Sequence, residues 1–407
     1  MSFFLPARPR SNAAFGESFW SELFSFGATR SGQTVNSVTA LEVTAVLACL
    51  RVLSEGVAQV PVNLMRRRKV GGGADIAYDN PLHYVLHRKP NSWQTSFEFR
   101  ENMVIQAALN GNFYAYINKV GGKRITELIP FPPGAVMAMR SPSSVLTYMV
   151  TGGDGSQKEY PAELIWHVRG PSWDTWRGMS AMHQAREAIG LAMATEDAHA
   201  KLHKNGAQAS GLYSVEGTLT PTQYKDLNAW IERQIAGESR SKPLVLDHGA
   251  KWTPLSMNGV DAEHLATRVH QIREICRTFR VMPIMIGESD KAATYASAEQ
   301  MFLAHVVHTL MPWYERIEQS ADVNLLSDAD IKDGLYVKFV PNGLMRGSAT
   351  VRADYYMKRW MMGTLNANEI RELEDENPYL GGDIYRVQLN TADATKGPSV
   401  DAPVTTP

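Results

Sequence analysis

Between Val260 and Leu326 the rhythm of apolar positions predicts helix, proline-broken loop, helix. Over Asp261 to Arg280, the residues Leu265, Val269, Ile272, Cys276 and Phe279 recur at helical spacing and should face a core. Arg273, Arg277 and Arg280 form a second stripe beside them. Pro283 biases its predecessor away from helix, and small and polar residues run on to Ala296. Ser297 with Gln300 reads as a capping box. The helix it opens should carry Phe302, Leu303, Val306, Leu310, Tyr314 and Ile317 inward, with a kink at Pro312.

Upstream, residues 1–35 are rich in Ser, Gly, Pro and Arg. Phe15, Phe19, Trp20, Leu23, Phe24 and Phe26 are many aromatics for such an arm, which docks either on a neighbour or on its own chain. Thr39-Ala-Leu-Glu42 reads as a capping box for a helix that Pro61 ends. Val62 to Arg68 alternates like a strand and runs into Arg66-Arg67-Arg68-Lys69, which reads most plainly as a solvated strand end. Pro81 to His87 is a short helix. Thr95 and Glu98 box a longer one, closed by Asn110-Gly111.

Strand rhythm then takes over. Asn112 to Lys119 puts Phe113, Ala115 and Ile117 on one face and Tyr114 and Tyr116 on the other. Gly121-Gly122 turns the chain into Arg124 to Ile129. Further strands are expected at 135–139, 145–150 and 164–168. Residues 40–170 thus predict an α+β domain, helices first and an antiparallel sheet after.

Met179 to Lys204 predicts one helix about 39 Å long, at about 1.5 Å per residue, with Gly190 allowing close approach by a neighbour. The stretch Gly206 to Ser256 reads as a β-α-β-β knob between this helix and the next, with strands at 211–215, 244–246 and 252–255. Thr220-Pro221-Thr-Gln223 supplies its helix start. Leu335 to Val340 is a strand expected to rejoin the first sheet. Gly347 to Met362 is a helix with Val351, Tyr355, Lys358 and Met362 near one face, and Asn366 caps another. Residues 390–407 read as a disordered tail.

Composition narrows the function. The 407 residues, 44% hydrophobic and 20% charged, suffice for about two to three ordinary domains. No apolar run reaches the about 18 residues of a membrane span, and the N-terminus lacks the pattern of a signal peptide. A net charge of −1 argues against a protein that grips nucleic acid tightly, though not against a surface past which DNA slides. Cys49 and Cys276 both fall on apolar helix faces and read as reduced core thiols of a cytosolic protein. His199 and His203 lie one turn apart, a metal-chelating spacing, but no third ligand stands nearby. No P-loop, dinucleotide fingerprint, nucleophile elbow or zinc spacing is present. Glu372, Glu374, Asp375 and Glu376 read as a solvated helix end. No catalytic residue, cofactor site or metal site is expected.

The order of motifs resembles the portal proteins of tailed double-stranded DNA bacteriophages. Four segments carry the likeness: Cys49-Leu-Arg-Val-Leu-Ser-Glu-Gly-Val-Ala-Gln-Val-Pro61; Ala185-Arg-Glu-Ala-Ile-Gly-Leu191 with Asn205-Gly-Ala207 and Ser210-Gly211; Arg273-Glu-Ile-Cys-Arg-Thr-Phe-Arg-Val-Met-Pro283 with Gly287, Thr294, Glu299 and Gln300; and Thr364-Leu-Asn-Ala-Asn-Glu-Ile-Arg-Glu372 with Gly381-Gly-Asp383. No one of these is decisive; their order over residues 40–385 is specific.

The resemblance implies a homo-oligomeric ring, usually of twelve subunits, at one vertex of the virion capsid and assembled in the host cytoplasm. Viral double-stranded DNA would enter and leave through its channel. It also implies parts: an arm at 1–39, a wing at 40–178 completed by 298–346, stem helices at 179–205 and 259–282, a clip at 206–258, a tunnel loop at 283–297, a crown at 347–389 and a tail at 390–407. The tunnel loop would present Gly287, Glu288, Ser289, Asp290, Lys291, Thr294 and Tyr295 to DNA, below the stem stripe Arg273, Arg277 and Arg280. The clip would offer Tyr224, Trp230, Arg233, Arg240, Lys242 and Trp252 to the terminase large subunit and then to a head-tail adaptor. The major capsid protein would hold the ring from outside, with no membrane involved. The alternatives are a head-completion adaptor without its own channel, or a metal-dependent nucleic-acid enzyme such as a nuclease using Glu372, Asp375 and histidines.

Overall fold

A computed structural model describes residues 29–69, 72–121, 124–205, 211–214, 220–226, 229, 251–254, 260–288, 295–341, 349–374 and 376–386. The chain divides into two compact units, Met1–Phe339 and Val340–Pro407.

In the first unit Asn36, not Thr39, is the first N-cap. Its side chain accepts from the N–H groups of Val38 and Thr39, and Thr39 returns the bond as the third residue of the box. This opens α1 (Ser37–Glu42), and extended backbone at Val43 separates it from α2 (Thr44–Ala58). The single helix expected from Thr39 is therefore two. Next come β1 (Val62–Arg67), β2 (Ala74–Ile76), α3 (Pro81–His87) and α4 (Ser96–Asn110), the last with its Thr95–Glu98 box and a left-handed Gly111 at φ 82°. Strands β3 (Asn112–Val120), β4 (Arg124–Pro130), β5 (Val136–Arg140), β6 (Leu146–Thr151), β7 (Gln157–Pro161) and β8 (Ile165–Arg169) follow. They build two antiparallel sheets, ordered β4-β3-β8 and β5-β6-β7, where one was expected. Strand β7 is polar and mostly exposed, so it carried no alternation to read.

The rest of the unit is α5 (Ala181–Asn205), β9 (Gly211–Ser214), β10 (Lys251–Pro254), α6 (Val260–Phe279), α7 (Tyr295–His305), α8 (Met311–Leu325), α9 (Asp328–Lys332) and β11 (Leu335–Phe339). Strands β9 and β10 pair antiparallel. Strand β11 joins the N-terminal strand, in the order β11-β1-β2, with Val62 opposite Phe339. Three of the four basic residues at the end of β1 meet carboxylates there. Arg66 holds Asp79 through two bonds of 3.1 and 2.9 Å, Arg68 holds Asp75, and Lys69 lies 3.1 Å from Asp333.

The core lies between α2, α4, α8 and the β3 sheet. Phe113, Ala115 and Ile117 are fully buried on one face of β3. Tyr114 and Tyr116 on the other face pack against a cluster formed by Tyr148 and Val150 of the second sheet and Ile165 of β8. Arg100 reaches across to donate two bonds to the Ala58 carbonyl, at 2.7 and 3.2 Å, and so satisfies an end carbonyl of α2. Burial lowers its pKa to about 10. The nearest neighbour at Gly190 is Thr29, whose side chain a Cβ there would meet at 2.7 Å.

One buried polar junction joins the two sheets. His167 on β8 lies 2.9 Å from Asn112 Oδ1 and 3.1 Å from the Tyr148 hydroxyl. The same Asn112 oxygen accepts the Gly178 N–H at 2.8 Å. Gly178 must be glycine, because a Cβ would lie 1.8 Å from the Gly111 carbonyl oxygen.

The second unit contains α10 (Ala349–Met361) and α11 (Ala367–Leu373). Asn366 and Glu369 form the expected capping box. Of the residues grouped near one face, Tyr355, Lys358 and Met362 are exposed and the side chain of Val351 lies outside the described residues; Arg352, Tyr356, Arg359 and Trp360 are half-buried. Glu374 fixes that side, accepting from Arg352 at 3.0 Å and from the Tyr356 hydroxyl at 2.8 Å.

Burial, with a smaller contribution from Arg169, pulls the His167 pKa down to about 3. The unfolded chain takes up this proton near pH 6.5 and the native chain does not, so stability is full above that pH and falls as pH drops toward 3. His83 and His305 shift the same way through burial, while buried Glu318 and half-buried Asp322 shift up and oppose them. A His167→Gln variant isolates the first contribution. Urea titrations at pH 7 and pH 5 should show wild type losing about 2 kcal/mol more than the variant over that interval; equal losses would mean that His167 is not buried neutral.

Candidate functional site

The two long helices α5 and α6 pack side by side. Gln271 donates to the Thr195 hydroxyl at 3.1 Å, and Arg268 pairs with Glu196 at 3.5 Å. The buried side of α6 is Gln271, Ile275, Cys276 and Phe279, with Ile272 half-buried. The expected stripe was therefore right at Cys276 and Phe279 and missed Ile275. The side chain of Leu265 lies outside the described residues.

Arg273 is half-buried and Arg277 exposed on α6, and Arg277 ion-pairs with Glu274 one turn back. Arg280 is not on the helix. It sits beyond the end at φ 55°, in the left-handed region. Its N–H bonds the Arg277 carbonyl at 3.2 Å and the Val281 N–H bonds the Cys276 carbonyl at 3.0 Å, the paired bonds of a Schellman ending. Glycine is the usual residue there, and arginine accepts steric strain to hold the position. The carbonyl of Arg280 is tied by the Thr309 hydroxyl at 2.8 Å. No periodicity could reveal this, because the bonds that make the turn belong to the backbone.

After the turn, Pro283–Ile286 form a short 3-10 helix closed by left-handed Gly287 at φ 86°. The Glu288 N–H bonds back to the Pro283 carbonyl at 3.0 Å. Of the tunnel-loop candidates, Gly287 and Glu288 are thus on a wound turn rather than in open loop. Ser289, Asp290, Lys291 and Thr294 lie outside the described residues. Tyr295 is the first residue of α7, which begins ahead of the expected Ser297 cap.

Helix α7 passes into a π-helical turn, Val306–Leu310, and then into α8 with Pro312 in its first turn. Proline cannot continue the hydrogen-bond ladder, and the wide turn before it absorbs the defect. Val306, Leu310, Tyr314 and Ile317 face inward as expected. Phe302 and Leu303 do not: they are 43% and 51% exposed, and Met301, Val307 and Met311 are exposed beside them. His305 is buried nearby, its pKa lowered by that burial, and its Nδ1 has no partner among the described residues.

Of the clip candidates, Tyr224 is exposed on the helical stretch 221–226. The Thr220–Gln223 box opens that stretch as expected, with Thr220 N–H to Gln223 Oε1 at 3.0 Å. Trp252 lies on β10 opposite Tyr213. Trp230, Arg233, Arg240 and Lys242 lie outside the described residues. Glu372 is exposed, Glu374 is held as above, and Glu376 pairs with Arg371 at 3.1 Å; Asp375 lies outside the described residues. Among the described residues no three His, Cys, Asp or Glu side chains converge as a metal site would require, and no helix is long and apolar enough to cross a membrane.

The profile of the phage portal protein family matches residues 44–375. The chain is 28% identical to the probable portal protein of Streptomyces phage phiC31, over 97% of this chain and 88% of that one. It is 26% identical to the portal protein of Enterobacteria phage HK97, over 86% and 82%. The fold is similar to a chain from the neck of a native gene transfer agent particle computed with C12 symmetry, with TM-score 0.54 and 22% identity over 84% of this chain and 92% of that one. A match over so much of the chain, on a fold shared with a particle neck, makes this protein a member of the phage portal protein family.

Proposed function

We propose that the chain forms a closed ring, a dodecamer by analogy with the twelvefold neck it resembles, that conducts double-stranded viral DNA during packaging by the terminase large subunit and again at ejection. The ring sits at the capsid vertex against the major capsid protein and passes from terminase to a head-tail adaptor once the head is full. The observation that carries this reading is the outward apolar surface of α7 and the π turn. Met301, Phe302, Leu303, Val307 and Met311 are exposed within 11 residues, more apolar side chain than a lone subunit leaves bare on one helix. A ring is built from head-to-tail contacts between different faces, and a neighbouring copy covers this one.

The channel-facing element in this reading is the junction from the end of α6 through Glu288. Its support is Arg280, a guanidinium kept at a backbone position where glycine is easier. Strain of this kind is retained where the side chain is used.

Two outcomes test the reading. Electron microscopy of the purified protein should show rings with a central hole, and Leu303→Asp with Val307→Asp should abolish them while the circular dichroism stays native. Rings from the double variant would remove α7 from the interface; a wild-type protein that never forms rings would favour the adaptor alternative. Separately, Arg280→Gly should stabilise the subunit by about 1 kcal/mol in urea and lower the yield of packaged DNA. Unchanged packaging would leave the strained arginine without a channel role.

A further inference from the structure

We propose that Cys49 and Cys276 are a dithiol site that closes to a disulfide, fastening α2 to the last turns of α6. The chain has two cysteines, far apart in sequence. The fold brings them face to face, with Sγ 3.9 Å from Sγ, both thiols free. They are 0% and 1% exposed. A disulfide needs the sulfurs at about 2 Å, so the pair has to close from van der Waals contact to bonding distance. Two small residues on packed helices need no contact of this kind; most core positions at such a junction hold aliphatic side chains, and Leu50, Leu53 and Ile275 do so here.

The site is asymmetric in a way that suits the reaction. Either S–H can donate to the other sulfur; with Cys49 as donor, the bond pulls the Cys276 thiol down, while burial and Glu288 oppose that fall. The Cys49 thiol is pushed up, through the same hydrogen bond and burial. In that arrangement Cys276 is the first thiolate and the nucleophile. With an azo oxidant such as diamide, the Cys276 sulfur adds to one nitrogen of the N=N bond and a proton goes to the other. Cys49 then gives up its proton and attacks the Cys276 sulfur, expelling the reduced hydrazine. Two thiols lose two electrons and two protons, and the N=N bond gains them.

The consequence lies in where the bond falls. The Cys276 carbonyl accepts the Val281 N–H in the turn that leads to Pro283–Glu288. Tying its sulfur to α2 fixes the root of that segment to the body of the first unit. A virion protein is made in a reducing cell and then exposed to an oxidising exterior, so the bond would form after assembly. That timing rests on the portal reading; the chemistry does not.

The test uses the full purified chain, treated with diamide and then alkylated with N-ethylmaleimide in guanidinium, and read by intact mass. Untreated protein should carry two maleimides and treated protein none, with the chain still monomeric on a non-reducing denaturing gel. Tm should rise on oxidation and return with dithiothreitol. Cys49→Ala and Cys276→Ala should each keep one maleimide and show no oxidation-dependent shift. Two maleimides after diamide, repeated in urea just below the unfolding midpoint to admit the reagent, would overturn the proposal. So would a disulfide between chains, or a fall in Tm. Absence of rings by microscopy would bear on the portal reading alone and leave the maleimide count standing.

Discussion

The described fold turns on the contact between α2 and the π turn at Gly56. The Tyr314 hydroxyl donates to the Gly56 carbonyl at 2.8 Å, and a Cβ on residue 56 would lie 2.9 Å from the buried Leu310 side chain. The missing side chain lets the wide turn seat directly on α2. Three things depend on that seat. It sets where α8 begins, and so how Trp166 meets Ser320 at 3.1 Å across β8. It places Thr309 to hold the Arg280 carbonyl and thereby the end of α6. And it aims α7 away from the body of the subunit, which is why Phe302 and Leu303 are bare. One glycine and one proline-adjacent turn thus couple the packed core to the segment proposed to face DNA.

Much of this was legible where structure is local. The Thr95–Glu98 and Asn366–Glu369 boxes, the left-handed Gly111 and the β3–β4 hairpin are written in a few neighbouring residues each, and the chain follows them. The failures share a different cause. Thr39 has the chemistry of a cap and the position of a cap's partner, a distinction only Asn36 decides. The pairing of β1 with β11 joins residues at opposite ends of the unit, and no short window contains it. The α7 error is more instructive. Periodicity reports that a side chain is apolar, not whether its own subunit buries it, so the exposed Phe302 and Leu303 look like core.

The candidate site was legible in outline and less so in its parts. Family likeness located the α6-to-α7 junction, but helical arithmetic put Arg280 on a stripe with Arg273 and Arg277 when it stands in a turn of its own. Thr309, which fixes that turn, offered no signal at all, since its value comes from a carbonyl 29 positions away. Cys49 and Cys276 were each readable as buried, and their meeting was not, because it depends on how α2 and α6 cross.

The electrostatics of the α5–α6 pair follow the same economy. Arg268 is matched by Glu196, and Arg277 and His270 by Glu274, all on α5 or α6. A surface of this sort presents alternating rather than accumulated charge. A polyanion moving past it meets basic groups whose attraction is already partly spent on adjacent carboxylates, and exposed pairs of this type hold little free energy in salt. Tight binding would stall DNA in a channel, whereas a neutral apolar wall would offer no aqueous path. In the proposed DNA-conducting ring, paired charges of this kind would let a polyanion pass without capture, in keeping with the net charge of −1 on the whole chain.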